Sequence, residues 1–215
     1  MSSASRRGFT ALEMLVVIGI FTLVTGVVMA SLPQFREKTL LDLTAQQMAT
    51  IIRQAQVYGL GTRSVGTSGY PSHGAFFCLP GGACPSGVGN KNLVLFADID
   101  PPGLPPSNNR YNIPPDCGVG GTECVEKYTM QGAVQIAVNG VSTCDSGGCT
   151  SRNPLNILFN RPNPEANFFN GSGGSISASY AKICIQSTRD PSSYREIRVS
   201  NTGQIYARNN NVICP

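Results

Sequence analysis

The feature that most constrains this chain is the run from Phe9 to Leu32, 24 residues with a single charge, Glu13. A helix that crosses a bilayer needs about 20 predominantly apolar residues, so the run is long enough to span one. Gly19, Thr22, Thr25 and Gly26 interrupt it in a way that membrane helices tolerate. Arg6 and Arg7 precede it, and Arg36, Glu37 and Lys38 mark the return to water. The two arginines favour a cytoplasmic N-terminus, which places the rest of the chain on the outer side of the membrane.

The cysteines agree with that side. There are eight in 215 residues. They fall as Cys78 and Cys84, Cys117 and Cys124, Cys144 and Cys149, and, further apart, Cys184 and Cys214. Each of the three close pairs encloses at least two glycines, so the loop bends enough for its ends to meet. The first two spacings are wider than zinc-ligand pairs use, and the third just fits one. Sequence-local disulfides are the economical reading, and four bridges imply an oxidising compartment. The longest loop, closed by Cys184 and Cys214, is expected to contribute most.

Three uses of the apolar head compete. It serves as a plain signal anchor. It serves as a twin-arginine export signal, with Ser5-Arg6-Arg7-Gly8-Phe9 at its start and Val28-Met29-Ala30 as a small-residue cleavage site. Or cleavage falls between Gly8 and Phe9, and the membrane segment stays on the mature protein. Glu13 separates these. An acid near the bilayer centre costs roughly 2.5 to 3.5 kcal/mol and by default needs a partner and a purpose. An export signal or a bare anchor gains nothing from it. A new α-amino group on Phe9 of a neighbouring subunit would supply the partner and set the axial offset of adjacent helices.

The stretch RRGFTALEMLVVIGIF resembles the class III signal of type IV pilins and type II secretion pseudopilins. In those families a prepilin peptidase cuts after the glycine and N-methylates the new first residue, usually Phe. A glutamate at the fifth mature position aids assembly into a helical filament. Gly8, Phe9 and Glu13 stand at the matching positions. Many pilins carry proline at the 22nd mature position. Here that position is Ala30, and Pro33 lies three residues later, so any helix kink is expected at a shifted place. The resemblance implies a leader over 1–8, a transmembrane and assembly helix over 9–32, an amphipathic helix over 33–60 and a β-rich globular domain over 61–215. It implies other pilin subunits, the peptidase, a membrane platform and an assembly ATPase as partners. The implied location is the cytoplasmic membrane, N-terminus inside, and then an extracellular or periplasmic filament.

After Pro33, Leu41, Ala45, Met48, Ile52, Ala55 and Tyr58 recur at steps of four and three, the mark of one helix face. Gly59 and Gly61 supply a stop. A continuous helix from Phe9 to Gly59 is roughly 75 Å long. From about residue 74 the pattern is strands: GAFFCL, NLVLFAD, KYTM, AVQIAV, LNILF, ISASYAKICIQ, REIRVS and GQIYAR, each bounded by turn residues. Residues 101–116 and 161–174 read as surface loops, and Asn201-Thr202-Gly203 as a tight hairpin. Helix first and strands after imply an α+β fold, with an antiparallel sheet laid on the second half of the helix and loops stapled by disulfides. IIRQAQVYGL, NLVLFADID and REIRVSNTGQIYA, in that order, are similar to minor pilins and pseudopilins of the GspH/FimT group, which have two antiparallel sheets against the helix.

The body offers little chemistry. His73 is the only histidine and has no Ser or Cys arrangement about it, so enzyme activity is not expected and no cofactor is implied. Asp98 and Asp100, with Gly103, begin like a calcium loop but lack its later ligands. If Ile197, Val199, Ile205 and Ala207 face inward, then Glu196, Arg198, Gln204, Tyr206 and Arg208 face out. Residues 182–215 carry five cations and two anions. Some pili and FimT-like proteins take up DNA, so Arg198, Tyr206 and Arg208 are the candidate contacts. The plainer reading is an ordinary solvated sheet face.

Overall fold

The computed structural model describes residues 9–61, 70–82, 84–85, 87–99, 108–112, 117, 123–208 and 214. Gly8 and Asp100 lie outside the described residues. Among the described residues, one helix, α1 (Ala11–Leu60), is followed by eleven strands. The chain divides into two compact units, 1–39 and 40–215.

The first unit holds the apolar part of α1. Thr10 caps it: its Oγ1 accepts the Glu13 N–H at 3.2 Å. Pro33 lies inside α1, which runs through it to Leu60. A proline there lacks the N–H that the carbonyl of Met29 would take, so the ladder loses one bond while the helix continues. The helix therefore runs through residue 33 as one element, and its buried residues begin at Leu41.

The second unit is a helix under two sheets. Sheet A contains β1 (Ser72–Phe77), β2 (Asn92–Asp98), β3 (Cys124–Thr129), β6 (Leu155–Phe159), β7 (Ala166–Asn170) and β8 (Ser175–Ile176), in the order β3-β2-β1-β6-β7-β8. Sheet B contains β4 (Val134–Asp145), β5 (Gly148–Ser151), β9 (Tyr180–Ser187), β10 (Tyr194–Ser200) and β11 (Ile205–Arg208), in the order β11-β10-β9-β4-β5. All pairings are antiparallel.

The buried helix stripe, Leu41, Ala45, Met48, Ile52 and Ala55, meets Phe77, Leu93, Leu95, Ile157 and Phe159 of sheet A and Ile136, Ile183, Ile185, Ile197 and Val199 of sheet B in one core. Tyr58, read as part of the stripe, is only partly buried at its edge. Sheet A is covered on its other face too. Phe76, Val94, Phe96 and Leu158 alternate with the core residues and form a second cluster with Tyr111, Cys78 and Cys124. Burial on both faces explains why β1, β2 and β6 read as continuous apolar runs.

Four disulfides join Cys78 to Cys84, Cys117 to Cys124, Cys144 to Cys149 and Cys184 to Cys214, the sequence-local pairing. The stretch 161–174 departs from its reading as a loop, because β7 lies within it. β7 buries Ala166 and Phe168 against the core while Asn167 faces water. Five residues flanked by Asn and Pro are too few to show alternation above that background. CDSGGC likewise is a hairpin, in which β4 continues to Asp145 and pairs with β5. ISASYAKICIQ splits into β8 and β9, which belong to different sheets.

Polar contacts at the rim fix how the helix seats. Asp42 pairs with Arg195. The Tyr128 hydroxyl donates to Gln47 at 2.6 Å, and Arg53 Nη2 donates to the Ile205 carbonyl at 2.7 Å. Gln56 Nε2 donates to the carbonyls of Pro164 and Gly203. At the end of α1, a Cβ on Gly59 would lie 2.3 Å from the Phe159 carbonyl oxygen, so only glycine admits this approach. In a free helix Gly→Ala stabilises by about 1 kcal/mol. Gly59→Ala is expected to do the reverse and destabilise the fold by roughly 1 to 3 kcal/mol through overpacking. Thermal unfolding of the variant in detergent, beside Val57→Ala on the exposed face, checks the sign.

Candidate functional site: the exposed apolar helix and the body's polar clusters

The apolar half of α1 is uncovered. Leu12, Leu15, Phe21 and Leu23 are each about 70% exposed. Its 18-residue window has a mean hydropathy of 2.5 and no buried share, so it is long and apolar enough to cross a membrane. Phe9, 77% exposed, stands just before the Thr10 cap. Glu13 sits in the first turn and is exposed. Thr10 and Glu13 have the spacing of a capping box, and an acid in the first turn meets the positive end of the helix dipole. This local role was readable from Thr10-Ala-Leu-Glu13 and escaped the sequence reading. Among the described residues, no hydrogen bond or ion pair involves the Glu13 carboxylate.

The outer face of sheet B brings the candidate nucleic-acid contacts together. Arg198 pairs in register with Tyr206 on one side and Lys182 on the other, and Arg208 with Glu196. The Arg198 guanidinium lies 3.9 Å over the Tyr180 ring, and that of Arg208 lies 5.8 Å from the Tyr206 centroid. Glu196 corrects the simple alternation. It is on the outer face yet 1% exposed. Its register neighbours are Arg208 and Cys184, the latter bonded to Cys214, and Arg198 Nε donates to its Oε1 at 2.9 Å. A buried carboxylate requires such a partner. Arg198 is thereby committed to Glu196 and Tyr180, and Arg195 to Asp42.

Asp98 ends β2 and is buried. Its Oδ2 accepts the Asn109 N–H at 3.2 Å. Two neighbouring contacts hold the same segment. Asn156 Oδ1 accepts the Tyr111 N–H at 2.9 Å, and the Asn112 N–H donates to Glu123. Residues 108–112 are thus a strap across the outer face of sheet A, with the Tyr111 ring 5.1 Å from Phe76 and 5.6 Å from Phe96. The acid at 98 serves this strap. No group of three metal-ligating side chains occurs among the described residues. His73 is wholly buried in β1, with Nδ1 3.1 Å from the Pro71 carbonyl and its ring edge-on to Tyr58.

A polar cleft of about 350 Å³ lies where β8 leaves β7, bounded by the turn at Asn201 and Thr202. Glu165 is the one ionisable residue in its lining. Comparison with family models, with curated proteins and with solved structures returned no match.

Glu123 gives the body a pH dependence. Burial, opposed by the Asn112 N–H and reinforced by Asp98, raises its carboxyl from 4.5 to about 8. The folded state therefore holds a proton at neutral pH that the unfolded chain releases. The associated stability is complete below pH 4.5 and is lost as pH rises through about 8. Glu123→Gln is expected to flatten the fall in unfolding temperature between pH 5 and pH 9. Unfolding curves across that range test it, and an unchanged slope would show that Glu123 is not the group responsible.

Proposed function

We propose that this chain is a pilin-like subunit of a type IV pilus or of a type II secretion-like filament, held in the membrane by the first half of α1 and assembled through it. One observation carries the reading. An uncovered apolar helix with a single acid, five residues in from Phe9, continues without a break into a helix half buried in a disulfide-stapled body. The body satisfies its own core. The first half of α1 leaves most of its apolar side chains open, and its surroundings must be lipid or other helices.

On this reading the peptidase cuts after Gly8. The new Phe9 amine of one subunit meets Glu13 of another, and desolvation between apolar helices strengthens the pair. The partners are further pilin subunits, the peptidase, and the membrane platform with its ATPase. The body lies outside the cytoplasm, where its disulfides form and persist. As an exported protein cleaved after Ala30, the chain would instead be cut within the continuous helix and leave Ser31 as its first residue.

N-terminal analysis of the mature protein decides between these. A start at N-methylated Phe9 is expected, and a start at Ser31 would refute the assembly reading. Glu13→Ala and Gly8→Ala are expected to leave the thermal unfolding of the body unchanged and to abolish incorporation into filaments. The measurement is sheared-filament yield against total chain, and normal incorporation of either variant would count against the proposal.

A further inference from the structure

We propose that β5 is a second assembly edge, independent of the apolar helix, and that it pairs antiparallel with β5 of another copy of this chain about a two-fold axis. Among the described residues, β5 is the last strand of sheet B and pairs only with β4. Its four residues, Gly148, Cys149, Thr150 and Ser151, are all exposed and uncharged.

The other edges are guarded, as edge strands in soluble proteins ordinarily are. β3 carries Glu126 and Lys127 on exposed positions. β8 is two residues long. β11 ends in Arg208, and its Ile205 carbonyl is taken by Arg53. β5 has no charge, proline or cap of this kind. It is also stiffened, because Cys144 and Cys149 face each other in register and are bonded.

The hydrogen-bond directions specify the register. Arg152 N–H donates to the Val141 carbonyl, and Ser179 N–H donates to the Cys144 carbonyl on the β9 side. Alternation along the antiparallel pair then turns Gly148 and Thr150 toward β4, and Cys149 and Ser151 outward. Placing Cys149 opposite Ser151 of the second copy, and the reverse, uses both outward donors and both outward acceptors of each chain. Thr150 then faces Thr150 across the axis as a non-hydrogen-bonded pair, with Cα atoms about 4.5 Å apart.

Charge supports the same register. Asp145, exposed at the hairpin, pairs with Gly148. Arg152 donates through Nε to Thr143 Oγ1 of its own chain at 3.0 Å; in the second copy it falls opposite Gly148, two strand spacings or about 10 Å from Asp145 between Cα atoms, with its terminal nitrogens left for that carboxylate. Gly148 has no side chain to block the arginine, and symmetry provides the pair twice. The contact is small, in the class of transient interfaces burying below about 1,200 Å².

The test uses the full-length chain in detergent micelles. Thr150→Cys is expected to form an intermolecular disulfide at least about tenfold faster than Thr202→Cys, on the exposed turn between β10 and β11, because a formed contact raises the effective concentration. Cα atoms about 4.5 Å apart allow the bond. Peptide mapping must place the link between the two 150 positions. Ser151→Pro removes an outward donor and keeps the backbone bonds to β4, losing there only the 3.5 Å contact of Ser151 Oγ with the Val141 carbonyl, so adding it to Thr150→Cys should return the rate to that of Thr202→Cys. Equal rates for the two single variants would overturn the proposal. So would an excess that survives Ser151→Pro, or a link running through a native cysteine. Amide exchange at Cys149 and Ser151 that slows with protein concentration, and is indifferent to Glu13→Ala, separates this edge from association through α1.

Discussion

The fold depends on one burial event, the insertion of the stripe from Leu41 to Ala55 beneath the inner faces of two sheets. Leu41, Met48, Ile52 and Ala55 are wholly buried, and the aliphatic and aromatic positions of eight strands share their core. Neither sheet has another apolar layer for that face. The hydrogen bonds and ion pair from Asp42, Gln47, Arg53 and Gln56 ring the apolar contact and set its rotation and axial position. Apolar burial is roughly proportional to area and indifferent to direction, whereas these polar contacts are directional. The first supplies most of the driving force, and the second selects one seating among several that would bury similar area.

The sequence showed the parts of this arrangement that have a period. The helix stripe recurs every three to four residues, and β1, β2, β6, β9 and β10 are long enough, or apolar enough, to stand out. What it concealed lacked a period. β7 is five residues among Asn and Pro, and it is a strand because β6 offers an edge and the core has room for Phe168. Its identity is tertiary. Glu196 fits the alternation of β10 and still fails to be exposed, because alternation reports the face and not what covers that face. Its neighbours there are Arg198, which pairs with it, and Cys184 and Arg208, which stand opposite it in register. At the helix start, Thr10 shows that Glu13 has a local partner at N-cap spacing besides any partner on another chain.

The strap over sheet A illustrates how a polar segment is held without much apolar surface of its own. Only Tyr111 contributes a large side chain to the layer beneath it. The rest of the attachment is through backbone N–H groups taken by Asp98, Asn156 and Glu123, and those acceptors are buried at 5%, 0% and 4% exposure. Buried acceptors need donors, and the strap's backbone supplies them. The pairing is mutual: the strap without the acceptors would be a solvated loop, and the acceptors without the strap would be desolvated polar groups on an apolar face. The elevated Glu123 carboxyl follows from the same geometry, since burial disfavours its charge more than the Asn112 N–H favours it.

The disulfides lie outside the core between helix and sheets, although Cys78, Cys124, Cys144 and Cys184 are themselves buried. Cys78–Cys84 and Cys117–Cys124 border the cluster on the outer face of sheet A, Cys144–Cys149 closes the exposed hairpin, and Cys184–Cys214 ties the end of the chain to the outer face of sheet B. None lies in the core between helix and sheets. Covalent closure restrains the unfolded chain whether or not a segment buries apolar area. It therefore adds to the burial of these segments without depending on it. The apolar half of α1 is the converse case. It has abundant apolar area and, among the described residues, no disulfide and no buried share. A helix that exposes Leu12, Leu15, Phe21 and Leu23 in this way is compatible with a single-pass membrane anchor.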